Sequence, residues 1–169
     1  MGLVTPVAMG IALGLPHRKV IALDGDGSMI LGLGTLTTLG TYLPPNLIVI
    51  VLDNESYFSC TARQGGESLP TATAERTDLA AMARGAGIKN SVTVTNLEQA
   101  EKTLNQALES KEMWFIVAKT EKAQELVPRP RMDGDECKYR FVRFIEKLEN
   151  KEILPAEGHA QEFAKRPHL

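Results

Sequence analysis

The sequence contains an unbroken apolar run of six residues, Leu47 to Leu52 (LIVIVL), and this run constrains the fold more than any other feature. A strand with one face in water alternates apolar and polar residues, so an unbroken run predicts a strand covered on both faces. Short runs of the same kind, Lys19 to Leu23 (KVIAL) and Met113 to Ala118 (MWFIVA), predict two more buried strands. A fourth strand is predicted at Ser91 to Thr95 (SVTVT), where apolar and polar residues alternate.

Helical patterns separate the predicted strands. Residues 1–15 are small and apolar, and since no basic segment precedes them we predict a packed helix and not a signal peptide. Apolar residues recur at helical spacing from Ile30 to Tyr42, which predicts a single helix of about 13 residues that ends before Pro44-Pro45. Thr77 and Asn96 are predicted to cap two further helices. The alternation predicts an α/β fold, with a mainly parallel sheet and helices on both faces.

Composition and charge exclude several classes of function. The chain has 169 residues, of which 43% are hydrophobic, so it is long and apolar enough for one folded domain of ordinary size. A net charge of −2 gives no basic surplus for nucleic acid. No apolar stretch reaches the length of about 18 residues that a membrane span requires. Cys60 and Cys137 form no disulfide framework, which predicts a cytoplasmic location.

We predict three segments along the chain. Residues 1–125 form the α/β domain, 126–134 form a connector, and 135–169 form a helix followed by a polar tail. The helix from Asp135 to Glu149 carries an apolar face. We expect this helix to pack on its own domain or on a partner.

Asp26 and Asn54 each follow a predicted strand. From Asp26 the chain leaves by the helix of about 13 residues and returns by the strand of six, and each of these spans about 20 Å. A right-handed crossover of matched lengths returns Asn54 to the same edge of the sheet as Asp26. Both residues are therefore predicted at the carboxyl ends of neighbouring parallel strands, where open α/β sheets bind ligands.

The residues at this edge suit a divalent cation. One carboxylate, one amide oxygen and one main-chain carbonyl are too few ligands for Ca²⁺, but they suit a Mg²⁺ that also binds water and a diphosphate. Gly25 and Gly27 would let phosphate oxygens approach the backbone, and Ser28 and the following helix offer N–H donors to the same anion. A solvated turn aspartate and a strand-end asparagine are the alternative, which does not explain the 26 residues between Gly27 and Asn54.

This pattern resembles the thiamine-diphosphate-binding signature, in which an asparagine follows Gly-Asp-Gly at about the spacing that separates Gly27 from Asn54 here. The resemblance implies that Asp26, Asn54 and the main-chain carbonyl of Ser56 hold Mg²⁺, which in turn holds the diphosphate of the cofactor. Met1-Gly2, with Met1 25 positions before Asp26, resembles the bulky residue and glycine that support the bent cofactor in the family's 2-oxo-acid decarboxylases. In the family a strand and a turn precede this pair. We expect either an earlier start of the natural chain or the loss of a contact to the aminopyrimidine.

The resemblance is strongest to the small β subunits of sulfopyruvate decarboxylase and phosphonopyruvate decarboxylase. The segments that carry it are MGLVTPVAMGIALGLPHRKVIALDGDGS, LDNESY, TDLAAMARGAG and DECKYRFVRFIEKLE. It implies a decarboxylase subunit that binds thiamine diphosphate and Mg²⁺ and acts on a small anionic 2-oxo acid, such as 3-sulfopyruvate or 3-phosphonopyruvate. An acetolactate-synthase-like carboligase subunit and a non-catalytic cofactor-binding module are the alternatives.

The resemblance also implies an active site shared between chains. In this family the glutamate that activates the aminopyrimidine comes from a pyrimidine-binding domain, so we assign it to no residue here. We expect a hetero-oligomer with a subunit that carries this domain, together with self-association. The residues expected to contact the cofactor are Met1, Gly25, Asp26, Gly27, Ser28, Asn54, Ser56 and Tyr57. Tyr57 and Phe58 either line the substrate cavity or pack, and Arg63 either meets the anion of the substrate or lies on the surface.

Overall fold

The computed structural model of this chain describes residues 1–57, 68–122 and 133–154. The chain divides into two compact units, Met1–Leu126 and Val127–Leu169. The first unit contains the sheet and the candidate site, and the second contains one described helix.

The described part of the first unit contains a four-stranded parallel sheet. The strands are β1 (Val20–Gly25), β2 (Leu47–Asp53), β3 (Asn90–Val94) and β4 (Trp114–Lys119). Their order in the sheet is β1-β2-β4-β3, and every pair is parallel. The four predicted strands are confirmed, with bounds that differ by one or two residues. The apolar β2 lies inside the sheet between β1 and β4.

Six α-helices and a short 3₁₀ helix (Ala72–Ala74) accompany the strands in the described residues. The α-helices are α1 (Val4–Gly14), α2 (Asp26–Leu31), α3 (Thr35–Tyr42), α4 (Leu79–Gly85), α5 (Leu97–Glu109) and α6 (Gly134–Glu149). Asn96 caps α5 as predicted, because its side chain accepts a hydrogen bond from the N–H of Gln99. The prediction that Thr77 caps α4 is wrong, since Asp78 accepts the capping hydrogen bond from Ala81.

The prediction of one helix from 30 to 42 is also wrong. The helical path begins earlier, at Asp26, and breaks between α2 and α3 at Gly32-Leu33-Gly34. Glycine favours such a break because it is a weak helix former. A second reason is contact with the N-terminal segment: a Cβ on Gly32 would lie 2.6 Å from the carbonyl oxygen of Gly2. The crossover between β1 and β2 therefore consists of two short helices.

Helices cover both faces of the sheet, as predicted. On one face, buried residues of α1, α2, α3 and α4 pack against Ala22, Val49, Val51, Phe115 and Val117. On the other face, Ala107 of α5 packs with Ile48, Val94 and Ile116. The second face is covered less completely in the described residues, because Leu23 and Leu52 remain 61% and 45% exposed. These two side chains lie at the end of the sheet that carries the candidate site.

In the second unit, Glu146 holds the chain that follows α6. Its carboxylate accepts hydrogen bonds from the main-chain N–H groups of Leu154 and Ile153, at 2.7 and 2.8 Å, and from Arg143 at 2.6 Å. The bond from Leu154, followed by those from Arg143 and Ile153, lowers the pKa of Glu146 to about 2. The helix ends at Asn150, which adopts a left-handed conformation with φ of 47°.

Candidate cofactor and metal site

The register of β1 and β2 brings the predicted ligand residues to one edge. Gly25 pairs with Leu52, so Asp26 follows at the level of Asp53, and Asn54 lies one residue further along. Neighbouring strands lie about 4.8 Å apart, so Asp26 and Asn54 are neighbours at the ends of adjacent strands. The predicted juxtaposition at the carboxyl edge is therefore present, although the crossover differs from the predicted one.

A cavity of about 380 Å³ opens at this edge of the sheet. Its lining contains all eight residues expected to contact the cofactor, namely Met1, Gly25, Asp26, Gly27, Ser28, Asn54, Ser56 and Tyr57. Leu23, Asp24 and Leu52 complete the lining. The structure thus brings the predicted residues together, and the role of each in binding stays a prediction.

The carboxylate of Asp26 is held by two hydroxyl groups from a distant part of the chain. Its Oδ2 lies 2.6 Å from Oγ1 of Thr71 and 3.2 Å from Oγ1 of Thr73. The two hydroxyl oxygens are themselves 2.9 Å apart. Asp26 is only 2% exposed, and the described residues give its Oδ1 no hydrogen bond.

Asp53 connects this group to a lysine at the end of β4. Its Oδ1 accepts a hydrogen bond of 2.7 Å from Thr73, and its Oδ2 forms an ion pair of 2.9 Å with Nζ of Lys119. Lys119 also pairs with Glu55 at 2.8 Å. Burial acts to lower the pKa of Lys119, but hydrogen bonds and charges from Glu55 and Asp53 outweigh burial and raise the pKa above its usual value. The aspartate before Asn54 is therefore fixed on both oxygens.

The turn after β2 orients the amide of Asn54 and the carbonyl of Ser56. Oδ1 of Asn54 accepts a hydrogen bond of 3.1 Å from the N–H of Ser56, and an amide oxygen has a second lone pair for another partner. Glu55, between them, adopts a left-handed conformation with φ of 59°. Ser56 forms an antiparallel bridge with Pro70. The hydrogen bonds flanking this bridge make it a non-hydrogen-bonded pair, so the Ser56 carbonyl points away from the returning segment.

The N-terminal segment is tied to the start of α2. The N–H of Gly2 donates to the hydroxyl of Ser28 at 2.9 Å, and Gly2 also contacts the backbone of Gly32. Met1 therefore lies at the rim of the cavity, where its side chain is 60% exposed.

The two glycines around Asp26 differ in their surroundings. A Cβ on Gly25 would meet no atom within 4 Å, so the space beside it is open for a ligand. A Cβ on Gly27 would lie 2.4 Å from Cε1 of Tyr57. Packing of the Tyr57 ring therefore gives Gly27 a second reason to be glycine, and the expectation that both glycines serve phosphate approach stays a prediction. Tyr57 both packs and lines the cavity.

Buried negative charge favours a cation at this edge. Asp24, Asp26 and Asp53 are 6%, 2% and 2% exposed. Lys119 pairs with Asp53, whereas Asp24 is held by neutral donors, the hydroxyl of Thr5 and the N–H of Gly25. Within the described part of the chain no cation pairs with Asp24 or Asp26. Burying charge without a partner is costly, so a divalent cation would stabilise this arrangement.

The donor set is mixed in character. No group of three or more His, Cys, Asp or Glu side chains in ranges 1–57, 68–122 and 133–154 could hold a metal ion. This agrees with the predicted ligands, of which only Asp26 is charged, while Asn54 and Ser56 contribute neutral oxygens. Hard oxygen ligands in this number leave positions for water and phosphate on Mg²⁺.

Sequence reasoning missed Asp24, Thr71, Thr73 and Lys119. Asp24 lines the cavity, and the other three hold the predicted ligand segment. Lys119 follows the last apolar strand and could have been found as the polar end of that run. Thr71 lies 45 residues from Asp26 in the chain, and no local pattern signals that contact.

Comparison with known proteins identifies the family. Residues 1–118 match the family described as thiamine pyrophosphate enzyme, C-terminal TPP binding domain. The chain belongs to this family. The resemblance seen in the sequence is therefore confirmed, and so is thiamine diphosphate (thiamine pyrophosphate, TPP) as its cofactor.

Relatives of this TPP-binding domain include decarboxylases. It is 35% identical over 147 residues to sulfopyruvate decarboxylase subunit beta of Methanocaldococcus jannaschii. The match covers 87% of this chain and 74% of that protein. It is 32% identical over 146 residues to phosphonopyruvate decarboxylase of Streptomyces viridochromogenes, with 86% of this chain and 35% of that protein covered. The name of the first relative states that it is one subunit of a larger assembly.

A solved structure supports the same fold. The TPP-binding domain matches a thiamine diphosphate-dependent 4-hydroxybenzoylformate decarboxylase of Rhodococcus jostii RHA1 with a TM-score of 0.59 and 25% identity. The match covers 74% of this chain and 24% of that one. The predicted thiamine-diphosphate-binding fold is confirmed.

Among the described residues, no helix combines the length and the apolar character needed to cross a membrane. Phe58, Cys60 and Arg63 lie outside the described residues.

Proposed function

We propose that this chain binds thiamine diphosphate through a Mg²⁺ ion held by Asp26, Asn54 and the main-chain carbonyl of Ser56. The observation that carries the proposal is a cavity at the carboxyl ends of β1 and β2, whose lining includes all three residues. The donors fit the ion, because they are hard oxygens and include one buried carboxylate without a cationic partner in the described residues. Open space beside Gly25 offers room for the diphosphate.

We further propose that the chain is a subunit of a decarboxylase for a small anionic 2-oxo acid. The support is the similarity to proteins named sulfopyruvate decarboxylase subunit beta and phosphonopyruvate decarboxylase, whose matches span 87% and 86% of this chain. The candidate substrates are 3-sulfopyruvate and 3-phosphonopyruvate. When bound, thiamine diphosphate supplies the nucleophilic carbon that adds to the keto group and the electron sink for the loss of CO₂.

The residues of this chain would bind and shield the cofactor. Asp26, Asn54 and Ser56 fix the diphosphate end through the metal ion. The apolar wall of the cavity is formed by Leu23, Leu52 and the ring of Tyr57. Once a partner covers Leu23 and Leu52, this wall would exclude water from the reacting carbons and so limit side reactions.

The proposed site is half of a complete active site. No glutamate is among the described residues that line the cavity. We assign the activating glutamate to a subunit with a pyrimidine-binding domain, in accordance with the family resemblance and with the subunit name of the relative. The partially exposed Leu23 and Leu52, beside the cavity, leave apolar surface near the place where such a partner would complete the site.

A reconstitution experiment tests the proposed function. The purified chain is assayed for CO₂ release from 3-sulfopyruvate and 3-phosphonopyruvate with thiamine diphosphate and Mg²⁺, alone and with the pyrimidine-domain subunit. We expect no turnover alone and decarboxylation with the partner. Robust turnover by the chain alone would contradict the shared site. Condensation of two 2-oxo acids would indicate a carboligase, and cofactor binding without turnover would indicate a non-catalytic module.

A further inference from the structure

The segment Thr71-Ala72-Thr73, at the start of the 3₁₀ helix, places two buried hydroxyl groups between two buried carboxylates. Thr71 and Thr73 are 2% and 6% exposed. Their hydroxyls contact the carboxylate of Asp26 on one side and, through Thr73, that of Asp53 on the other. The pair belongs to no predicted ligand set and lies 45 or more residues from Asp26 in sequence.

The distances indicate to which oxygen each threonine hydroxyl donates its hydrogen bond. A threonine hydroxyl has one proton, so two protons are available for the four short contacts within the group. The two shortest contacts are Thr71 to Asp26 at 2.6 Å and Thr73 to Asp53 at 2.7 Å. Hydrogen bonds to a carboxylate are short and strong, so each hydroxyl donates its hydrogen in one of these two contacts. Thr71 thus holds Asp26, and Thr73 holds Asp53.

We propose that Thr71 and Thr73 are positioning residues for the metal site, an inference that rests on the proposed function. Thr71 occupies Oδ2 of Asp26 and leaves Oδ1 for the metal ion. Thr73 fixes Asp53, the residue directly before the ligand Asn54. One turn therefore sets the orientation of both strand ends that contribute side-chain ligands.

The neutral character of the two donors matters for the chemistry. A lysine or arginine in the place of Thr71 would hold Asp26 equally well, but its charge would weaken the attraction of the carboxylate for a cation. A hydroxyl orients the carboxylate and leaves its charge in place. The cationic partner in this group, Lys119, lies instead on Asp53, which is not a proposed ligand.

Mg²⁺ affinity in the presence of thiamine diphosphate, measured by titration calorimetry on the full chain, tests the proposal. Thr71→Val removes the hydroxyl and keeps the shape of the side chain. We expect it to weaken Mg²⁺ binding about 10-fold to 100-fold, the effect usual for groups that orient a metal ligand. Thr71→Ser keeps the hydroxyl and should bind nearly as wild type does, and Thr73→Val should have a smaller effect than Thr71→Val.

Thr5→Val is the matched control. Thr5 is fully buried and donates to a buried carboxylate, Asp24, that is not a proposed ligand. The same loss of a buried hydroxyl should lower thermal stability and leave Mg²⁺ affinity near that of wild type. A purely structural role for Thr71 predicts the same behaviour for Thr71→Val as for this control.

The outcomes separate this inference from the proposed function. If wild type binds Mg²⁺ with the cofactor and Thr71→Val binds equally well, the positioning role is wrong and the proposed function stands. If wild type does not bind even with the pyrimidine-domain subunit present, both are wrong. Should Thr71→Val not fold, as judged by circular dichroism, Thr71→Ala replaces it, and Thr71→Ser must still restore affinity relative to that variant.

Discussion

Substitution of Gly27 by alanine tests the local packing around the proposed metal ligand. The added Cβ would lie 2.4 Å from Cε1 and 2.6 Å from Cδ1 of Tyr57. Carbon atoms in contact prefer about 3.5–4.0 Å, so the ring must move by about 1 Å or more. Overpacking of this kind usually costs about 1–3 kcal/mol. Because Gly27 lies in the first turn of α2, alanine also gains up to about 1 kcal/mol of helix propensity.

These two effects oppose each other, so a double-mutant cycle is the informative assay. In a Tyr57→Ala background the clash is absent and only the gain from helix propensity remains. The cost of Gly27→Ala should therefore be about 1–3 kcal/mol larger with Tyr57 present than without it. The free energy of unfolding is measured by urea denaturation, followed by circular dichroism, without cofactor.

Gly25→Ala provides the matched control on the other side of Asp26. Its Cβ would meet no atom within 4 Å, and φ of −104° is accessible to alanine, so we expect no coupling with Tyr57→Ala. Equal costs of Gly27→Ala in the two backgrounds would refute the packing argument. In that case the glycine would serve ligand approach alone, as the sequence first indicated.

Two further predictions concern stability elsewhere. Gly40→Ala should destabilise the fold by about 3 kcal/mol or more, because its Cβ would lie 1.7 Å from the carbonyl oxygen of Ala86. Gly10→Ala is the control, since its Cβ would meet no atom within 4 Å. Equal urea midpoints of unfolding for the two variants would show that this close contact is absent. The pKa of Glu146 is lowered to about 2, so its stabilising contacts persist below the ordinary value of 4.5 and are lost as the pH falls towards 2. The amide shift of Ile153, followed by NMR, should titrate near pH 2, and a midpoint near 4.5 would show that the contact is absent in solution.

The sequence predicted which residues meet at the edge of the sheet better than it predicted the path between them. Leu47–Asp53 is recognisable because its apolar run needs cover on both faces, and a parallel crossover then returns Asn54 to the edge that carries Asp26. This conclusion depends on topology and holds whether the crossover contains one helix or two. The break at Gly32 was missed because glycine within a helical pattern is only a weak signal, and the contact with Gly2, 30 residues earlier in the chain, leaves no pattern in sequence.

The threonine partners of the site could not be predicted for a related reason. Thr71 and Thr73 reach Asp26 and Asp53 from a separate part of the chain, and side-chain contacts of this range leave no periodic pattern in sequence. Gly27 illustrates a different limit. A glycine beside an aspartate predicted to bind metal suggests ligand approach, and only the position of the Tyr57 ring reveals the packing contact.

A crystal structure of the full chain with thiamine diphosphate, and with Mn²⁺ in place of Mg²⁺, tests the central claim most directly. Mn²⁺ prefers the same oxygen ligands and is located by its anomalous scattering. We predict one ion bonded to the Asp26 carboxylate, the Asn54 amide oxygen and the Ser56 carbonyl at about 2.1 Å, and also to the diphosphate. An ion outside this cavity, or a diphosphate bound without these three oxygens, would contradict the account.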